Sequence, residues 1–426
     1  MQPGGSSMPC SQDEATGPSA PRALRVLYIH PIGVFGGSSR SLLELIDELP
    51  PDAVQPRVLT ARGNFAPLLA RRGVETIIAA GIARFDNTRF GRYQGRRWLL
   101  LMRELYLLPG TLLAVRRAYR AWPEVDIIHV NEITAVPAWW YARRLFGRPV
   151  VVHVRSVQEN HPTRRRTQWM TRLLRGSCEQ VIAIDETVRE SLPEGIPAEI
   201  VHNVFSVERA SRDVSFEARL DALPTGGFRV GFVGNFLGMK GLLDLVEAIG
   251  LCRARGVDVR VLVVGANPRR MKRGMSSWLL GKAGFMRDLE TETMARADTL
   301  RVRDRVHLLG FSEAIGSIYG RIDAICFPSH LEAIGRPVLE AAFFGKPSIV
   351  AISAPRPDTL VDGVTGIAFP PGDIPALADA IETLALDRQQ LLSMGVAARE
   401  LATQNFDAKT NAEKILAIYR RLAAAR

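Results

Sequence analysis

Short apolar strands alternate with amphipathic helices along this chain, and the alternation starts twice. Leu24–Ile29 begins the first series, and Phe228–Gly234 begins the second. The spacing between successive apolar runs leaves room for a helix after most of them. Such alternation is typical of parallel, doubly wound sheets. The sequence therefore predicts an α/β protein with two consecutive domains, each built on its own parallel sheet.

The predicted boundaries divide the chain into five parts. Residues 1–21 are rich in Gly, Ser and Pro and are expected to be a disordered tail. The two domains are expected at 22–205 and 227–405, joined by a polar linker at 206–226. A final helix within 406–426 has an apolar face and could pack back on the first domain.

Composition places the chain in the ordinary globular class. Its 426 residues are 47% hydrophobic and 23% charged, and no apolar run approaches the ~18 residues of a membrane span. The four cysteines have neither metal-binding nor redox spacing, which is typical of buried thiols in a reducing compartment. The N-terminus lacks the pattern of a secretory signal. We therefore expect a cytoplasmic protein.

The formal net charge of +11 is unevenly distributed, with many arginines in residues 84–120 and 143–175. In the first block they alternate with apolar runs such as Trp98–Met102. That composition favours a helix lying on an anionic membrane surface, at the inner face of the membrane. A core helix with a solvated basic face is an equally good interpretation. Nucleic-acid binding is disfavoured, because no recognised binding motif accompanies the charge.

A glycine-rich turn follows the first strand of each series. Gly36-Gly37-Ser38 precedes a helix whose free N–H groups could face an anion, although a simple tight turn is equally consistent. Val233–Gly241 contains Lys240 at the opening of a helix, where a lysine suits a diphosphate. Neither turn has the three-glycine dinucleotide fingerprint or the Walker A pattern.

A third segment places two carboxylates around one loop. The apolar strand Ala324–Phe327 is followed by Glu332 on a loop, by Gly335-Arg336-Pro337 at a helix start, and by Glu340 in the helix. Open α/β sheets bind ligands at the carboxyl ends of their strands, and helix starts favour anionic groups. We therefore expect both glutamates to contact one polar ligand.

These residues carry a family resemblance. Pro328-Ser329…Glu332-x-x-Gly335-x-Pro337-Val338-Leu339-Glu340-Ala341…Gly345-x-Pro347, followed by 361–366 and Pro371-Gly372-Asp373, resembles the signature of retaining GT-B glycosyltransferases of family 4. The match covers about 228–405 well and the first half more loosely. The resemblance implies two Rossmann-like domains facing a cleft. A nucleotide sugar would bind mainly to the second domain and the acceptor mainly to the first, on the side of Gly36, Gly37 and Ser38.

The resemblance also implies roles for individual residues. Glu332 would contact the donor sugar hydroxyls, Lys240 the diphosphate and Glu340 the ribose hydroxyls. The remaining donor contacts would come from the backbone around the sugar and diphosphate, at Ala333, Ile334, Gly335, Val338 and Leu339. Asn235 stands where the family usually has a phosphate-binding arginine, so one cation is missing unless Arg336 or another basic residue replaces it. No metal or other cofactor is implied, and a UDP- or GDP-sugar is the expected co-substrate.

His153 and Arg155 lie at the end of the predicted strand Val150–Val154, close to the presumed cleft. The family often has a cleft histidine near here, and counting from Pro149 places Arg155 at that position. Either side chain could contact the donor sugar or the acceptor, and a packing role is equally consistent for His153.

The sequence thus predicts a metal-independent, retaining glycosyltransferase of hexosyltransferase type. Its expected acceptor is a carbohydrate or a lipid-linked intermediate of surface polysaccharide or glycolipid biosynthesis. Two alternatives are a GT-B nucleotide-sugar epimerase and a non-catalytic protein that binds nucleotide sugars.

Overall fold

The computed structural model describes residues 22–89, 98–205, 213–265, 288–312 and 314–425. They form two α/β domains, each with a parallel sheet, as the alternation of strands and helices predicted. The tail 1–21, residues 206–212 of the predicted linker and the arginines at 92, 96 and 97 lie outside the described residues.

The first domain is built on a seven-stranded sheet with the order β3-β2-β1-β4-β5-β6-β7. Its strands are β1 (Leu24–His30), β2 (Val54–Ala61), β3 (Glu75–Ala79), β4 (Ile127–Val130), β5 (Val150–Val154), β6 (Gln180–Ala183) and β7 (Ala198–Ile200). Its helices are α1 (Gly37–Glu48), α2 (Phe65–Ala70), α3 (Leu99–Ala121), α4 (Val136–Phe146), α5 (Arg165–Ser177) and α6 (Glu186–Glu190).

The second domain is built on a six-stranded sheet with the order β10-β9-β8-β11-β12-β13. Its strands are β8 (Phe228–Val233), β9 (Val259–Val264), β10 (Val306–Gly310), β11 (Ala324–Phe327), β12 (Ser348–Ala351) and β13 (Gly366–Phe369). Its helices are α7 (Val214–Asp221), α8 (Leu242–Ala254), α9 (Leu289–Thr299), α10 (Gly316–Tyr319), α11 (Arg336–Phe343), α12 (Ile374–Leu386) and α13 (Arg388–Phe406), and α14 (Ala408–Ala424) follows them.

The central strands of the first sheet are buried on both faces, because helices cover both. In β1, Leu27 and Ile29 are buried with α3 and α4, whereas Val26 and Tyr28 are buried with α1 and α14. Successive side chains of a strand point to opposite faces, so one continuous apolar run supplies both cores.

Two segments at the predicted boundaries belong to a domain core. Part of the predicted linker forms α7, whose Phe216 and Leu220 are buried with strands of the second domain. This helix has only eight residues, too few for its apolar pattern to be recognised among the polar residues of the predicted linker. The helix α14 packs on the first domain, and its Tyr419 hydroxyl lies 2.6 Å from Nδ1 of His129. The chain therefore returns to the first domain after completing the second.

Candidate functional site

Both sheets have a point where the strand order reverses, and the predicted donor residues follow the two strands that meet there. In the second domain, β8 and β11 are neighbours at this switch point. Lys240 lies in the turn after β8, and Glu332 lies in the loop after β11. The crevice at such a switch point is where open α/β sheets bind ligands. The fold thus brings the two predicted residues to one edge.

Close backbone contacts hold these two loops together. Gly241 has a φ of +71°, and a Cβ added there would lie 1.9 Å from the carbonyl oxygen of Pro328. The His330 N–H donates to the Met239 carbonyl at 3.0 Å, and the Ser329 hydroxyl donates to the same oxygen at 3.3 Å. Only glycine fits at position 241, since a side chain there meets backbone atoms. The turn that carries Lys240 is thereby fixed against the loop that carries Glu332.

Lys240 is held beside an aromatic ring. Its Nζ lies 4.7 Å from the centroid of the Phe327 ring, and burial lowers the pKa of its ammonium group. In the part of the chain that the structure describes, no carboxylate lies within ion-pairing distance of this ammonium. Its positive charge is therefore available to an anionic group in the crevice.

Glu332 lies at the edge of a cavity between the domains. Its φ of +46° is in the left-handed region, which is uncommon for a residue with a side chain. Its carboxylate accepts a hydrogen bond from Ser353 at 2.8 Å and lies 3.5 Å from the Arg89 guanidinium of the first domain. The cavity measures about 510 Å³. Sequence reasoning missed Ser353 and Arg89, which have no motif to mark them.

The helix start after Glu332 packs closely on the strand before it. A Cβ at Gly335 would lie 2.3 Å from the Phe327 ring, so a side chain at this position would displace the loop. The Val338 N–H donates to the Gly335 carbonyl at 3.0 Å. Val338 and Leu339 are buried, Ala333 and Ile334 are partly buried, and Asn235 is exposed. The predicted donor residues thus lie along the crevice.

Glu340 is buried in a network that crosses the domain boundary. It accepts hydrogen bonds from Tyr319 at 2.7 Å and from Arg336 at 3.0 Å. The Arg336 guanidinium also donates to Glu44 at 2.7 Å and to Ser41 at 2.6 Å, both on α1 of the first domain. Burial alone would raise the pKa of Glu340, but the Arg336 and Arg40 guanidiniums lower it. Glu340 is therefore ionised, and the Arg336 guanidinium is paired with two carboxylates.

On the first-domain side, Arg155 is fixed by two asparagines. Its Nε donates to Oδ1 of Asn131 at 3.0 Å, and its terminal nitrogen donates to Asn203. Burial lowers the pKa of the guanidinium to about 10, while Glu132 raises it and Arg336 lowers it further. At neutral pH this side chain is therefore a fixed positive charge close to the domain boundary.

His153 lies within β5 behind Arg155. Its Nδ1 is 3.3 Å from the Arg155 guanidinium, and its side chain is buried. Burial, Arg155 and His129 together lower its pKa well below the usual range, so the ring is neutral at physiological pH. The structure therefore brings His153 next to Arg155 and away from the opening of the cleft.

The glycine turn of the first domain faces the second. A Cβ at Gly37 would lie 3.7 Å from Cδ of Arg336, and the Ser38 carbonyl accepts from Asn131 at 3.0 Å. Gly36 is the N-cap residue of α1, and its N–H donates to the Ser39 hydroxyl at 3.0 Å. This turn thus lines the gap between the domains.

Glu132 is a further candidate that sequence reasoning missed. It is the second residue after β4, at the switch point of the first sheet, and only 8% of its surface is exposed. Burial raises the pKa of its carboxyl to about 7, and the Arg155 charge opposes this rise. Its place just beyond a buried strand is a signal that the sequence does contain.

Two family models match the chain, one in each domain. Residues 35–209 match Glycosyltransferase Family 4, and residues 217–401 match Glycosyl transferases group 1. Both domains of this chain thus match glycosyltransferase families. This glycosyltransferase is 28% identical over 303 residues to an alpha-D-kanosaminyltransferase of Streptomyces kanamyceticus, covering 66% of this chain and 72% of the relative. It is 25% identical over 207 residues, 48% of either chain, to the capsular polysaccharide biosynthesis glycosyltransferase CapM of Staphylococcus aureus.

Solved structures agree on the fold. The crystal structure of Anabaena HepE in complex with UDP and glucose superposes with a TM-score of 0.70 at 22% identity, covering 93% of this chain and 99% of HepE. At this level of identity the likeness is evidence for the fold alone. The two-domain GT-B architecture predicted from the sequence is confirmed.

The described residues contain no group of three or more His, Cys, Asp or Glu side chains arranged to hold a metal ion. None of the helices among them has the length and hydrophobicity that a transmembrane span requires.

Proposed function

We propose that this glycosyltransferase moves a hexosyl group from a nucleoside-diphosphate sugar to an acceptor hydroxyl with retention of configuration. A UDP- or GDP-sugar is the proposed donor. The acceptor is proposed to be a carbohydrate or lipid-linked intermediate of surface polysaccharide or glycolipid assembly. CapM, named for capsular polysaccharide biosynthesis, and HepE, crystallised with UDP-glucose, support these choices.

The observation that carries the proposal is the ammonium of Lys240, which forms no ion pair among the described residues and lies at the same sheet edge as the loop of Glu332. The diphosphate would lie against Lys240 and the start of α11, where the helix dipole and a positive charge favour an anion. Glu332, with lone pairs that Ser353 and Arg89 do not occupy, would accept hydrogen bonds from the sugar hydroxyls. The sugar is thereby held with its anomeric carbon towards the first domain.

In the proposed reaction, the bond from the anomeric carbon to the diphosphate oxygen breaks, and its electron pair stays with the diphosphate. The acceptor oxygen forms the new bond on the same face of the sugar, and its proton passes to the departing phosphate oxygen. Lys240 stabilises the charge that develops on the leaving group, as preorganised cations do in other transferases. The proposed reaction uses no divalent ion, so loss of activity on addition of EDTA would contradict it.

Two experiments test the proposal. The first measures thermal shifts with UDP, GDP, ADP and dTDP, because a ligand that binds the native state stabilises it by mass action. UDP or GDP should raise the melting temperature of the wild type and should raise it less for Lys240→Ala. The second follows the product by NMR with the donor so identified. A product of inverted anomeric configuration sinks the retaining mechanism, and donor epimerisation without any acceptor supports the epimerase alternative.

We also propose that α3 contacts an anionic membrane surface. The helix buries Thr111, Val115 and Ala118 on one face. Its opposite face exposes Leu99, Met102, Tyr106 and Leu113, followed by exposed Arg117 and Arg120. Apolar side chains beside arginines are typical of helices that lie in the interface of anionic lipids. The protein would then be cytoplasmic and peripheral at the inner face of the membrane.

Vesicle flotation tests this contact. The wild type should float with anionic vesicles at low salt and be released as salt rises, because salt screens the arginines. Met102→Glu combined with Tyr106→Glu should abolish flotation. The control is Leu386→Glu with Leu392→Glu, two exposed apolar positions of the second domain. Equal flotation of both double variants contradicts the proposal.

A further inference from the structure

The second sheet carries basic residues on three neighbouring strands, at the edge opposite the donor crevice. Arg229 is the second residue of β8, Arg260 the second of β9 and His307 the second of β10. The three strands are neighbours and run parallel, so their amino ends lie at one edge of the sheet. The crevice with Lys240 and Glu332 follows the carboxyl ends of strands in the same sheet. The basic residues therefore belong to a different surface of the domain.

The three side chains lie on one face of the sheet. Each is flanked along its strand by apolar residues that pack on the other face, in the core that includes α8. These flanking residues are Phe228, Val230, Val259, Val261, Val306 and Leu308. Because successive side chains of a strand point to opposite faces, Arg229, Arg260 and His307 share the face on which α7 packs.

Arg229 and Arg260 are direct neighbours, because they are paired in the register of β8 and β9. Neighbouring strands lie only about 4.8 Å apart. His307 is close enough to feel both charges: burial lowers the pKa of its imidazole, Arg260 and Arg229 lower it further, and Asp304 raises it. Arg229, Arg260 and His307 thus form one group, the Arg260 cluster.

The Arg260 cluster lacks the acceptors that its donors require. Within the described ranges, Arg260 forms no hydrogen bond and no ion pair, although its Nη1 is buried. Nε2 of His307 is also buried without a partner. The Arg229 guanidinium donates to the neutral carbonyl oxygen of Pro224 at 2.9 Å. Buried polar groups without partners cost free energy, and like charges on neighbouring strands repel each other.

The aspartates near the cluster are paired with other arginines. These ion pairs are Asp258–Arg305, Asp304–Arg253, Asp323–Arg388 and Asp221–Arg321. Arg229 and Arg260 therefore keep their two positive charges without an ion-pair partner among the described residues. An anion from solution would supply both the missing charge and the missing acceptors.

We propose that the Arg260 cluster binds a phosphate group, with Arg229 and Arg260 contacting its oxygens and Nε2 of His307 donating a hydrogen bond to it. A guanidinium offers several donors in a fixed plane, which suits the oxygens of a phosphate. All three side chains are partly exposed, so the site is open to solvent. Inorganic phosphate and a phosphate monoester share this chemistry. The site is separate from the crevice proposed for the donor, and it does not depend on the proposed function.

Thermal shifts test the site with inorganic phosphate and with glycerol 3-phosphate at pH 7, against sodium chloride at equal ionic strength. At least one phosphate compound should raise the melting temperature above its value in chloride, because a ligand of the native state stabilises it by mass action. The compound with the larger shift identifies the source of the phosphate group. Arg260→Gln should weaken the binding roughly tenfold, because hydrogen bonds from a charged donor are lost.

Arg260→Gln also distinguishes a binding role from a structural one. In chloride the variant should be at least as stable as the wild type, because Arg260 has no partner to lose among the described residues. A lower melting temperature in chloride would instead show that the arginine supports the fold, and it overturns the proposal.

Two controls place the bound phosphate. Arg321→Gln breaks the exposed ion pair with Asp221 in the same domain and should keep the phosphate shift. Lys240→Ala, in the donor crevice, should keep the part of the shift that depends on Arg260. Equal melting temperatures in phosphate and chloride, a shift unchanged in Arg260→Gln, or a shift that Lys240→Ala abolishes overturns the site.

The His307 ring reports on the bound anion directly. Phosphate should raise the pKa of His307, because its charge opposes the Arg260 and Arg229 charges that lower this pKa. NMR titration of the ring with and without saturating phosphate measures the change, and His307→Asn identifies its signal. A rise that Arg260→Gln removes supports the site, whereas the same pKa in phosphate and in chloride overturns it.

Discussion

Arg336 of the second domain forms an ion pair with Glu44 of the first at 2.7 Å, although 292 residues separate them. The same guanidinium bonds to Glu340, so one side chain joins α1 to the residue predicted to bind ribose. All three side chains are at most 12% exposed. The pair therefore links the orientation of the domains to the residue predicted to bind ribose.

Replacing Arg336 with Gln should strongly destabilise the contact between the domains. The variant leaves Arg40, 3.0 Å from Glu44 and 3.6 Å from Glu340, to balance two buried carboxylates, and breaking a buried pair typically costs about 3 kcal/mol. Urea unfolding measures the loss. The control is Arg356→Gln, which breaks the exposed interdomain pair with Glu190 and should cost about 1 kcal/mol or less. Equal losses in the two variants contradict a special role for Arg336.

Local patterns predicted the fold but could not predict this pair. The alternation of apolar runs specifies strands and helices, because each run needs only neighbouring residues to be recognised. The Glu332–Glu340 segment was found the same way, as one strand, loop and helix. Glu44 and Arg336, in contrast, look like ordinary charged residues on two helices. Their partnership depends on how the domains sit together, which no local spacing encodes.

Lys240→Ala should reduce turnover without destabilising the protein. Its ammonium makes no ion pair in the described part of the chain and lies 4.7 Å from the centroid of the Phe327 ring, so little stability is lost. Removing a preorganised charge at a leaving group typically costs roughly 100-fold in kcat. Steady-state kinetics and the melting temperature measure the two effects. Lys346→Ala, at a turn of the same domain, is the control and should retain full turnover. A fall in stability as large as that in activity would indicate a structural role instead.

Gly241→Ala should destabilise the donor crevice, whereas Gly238→Ala should not. A methyl group at Gly241 meets the Pro328 carbonyl at 1.9 Å, and its φ of +71° disfavours any side chain. Backbone strain of this kind costs about 2 kcal/mol or more. Gly238 lies in the same turn, where an added Cβ meets no atom within 4 Å. Differential scanning calorimetry should show a lower melting temperature for the first variant alone, together with a weaker thermal shift by UDP. Similar melting temperatures would show that the Pro328 contact is not tight.

Asp185→Asn should change how stability depends on pH. Burial raises the pKa of Asp185 to about 6, and the charge of Asp358 raises it further against a hydrogen bond from Val188 and the charge of His202. The carboxyl of an unfolded aspartate has a pKa of about 4, so the native state binds the proton more tightly than the unfolded state does. The stabilisation is complete below about pH 4 and is lost as pH rises through about 6. Asparagine cannot ionise and still caps α6 as Asp185 does. The variant should therefore be more stable than the wild type at pH 7, by on the order of 2 kcal/mol, with the difference closing towards pH 4.

Urea unfolding between pH 4 and 8 measures this difference in stability. The control is Asp373→Asn, which replaces the partly exposed cap of α12. A difference that is independent of pH, or that widens on acidification, would show that Asp185 is ionised in the folded protein throughout this range.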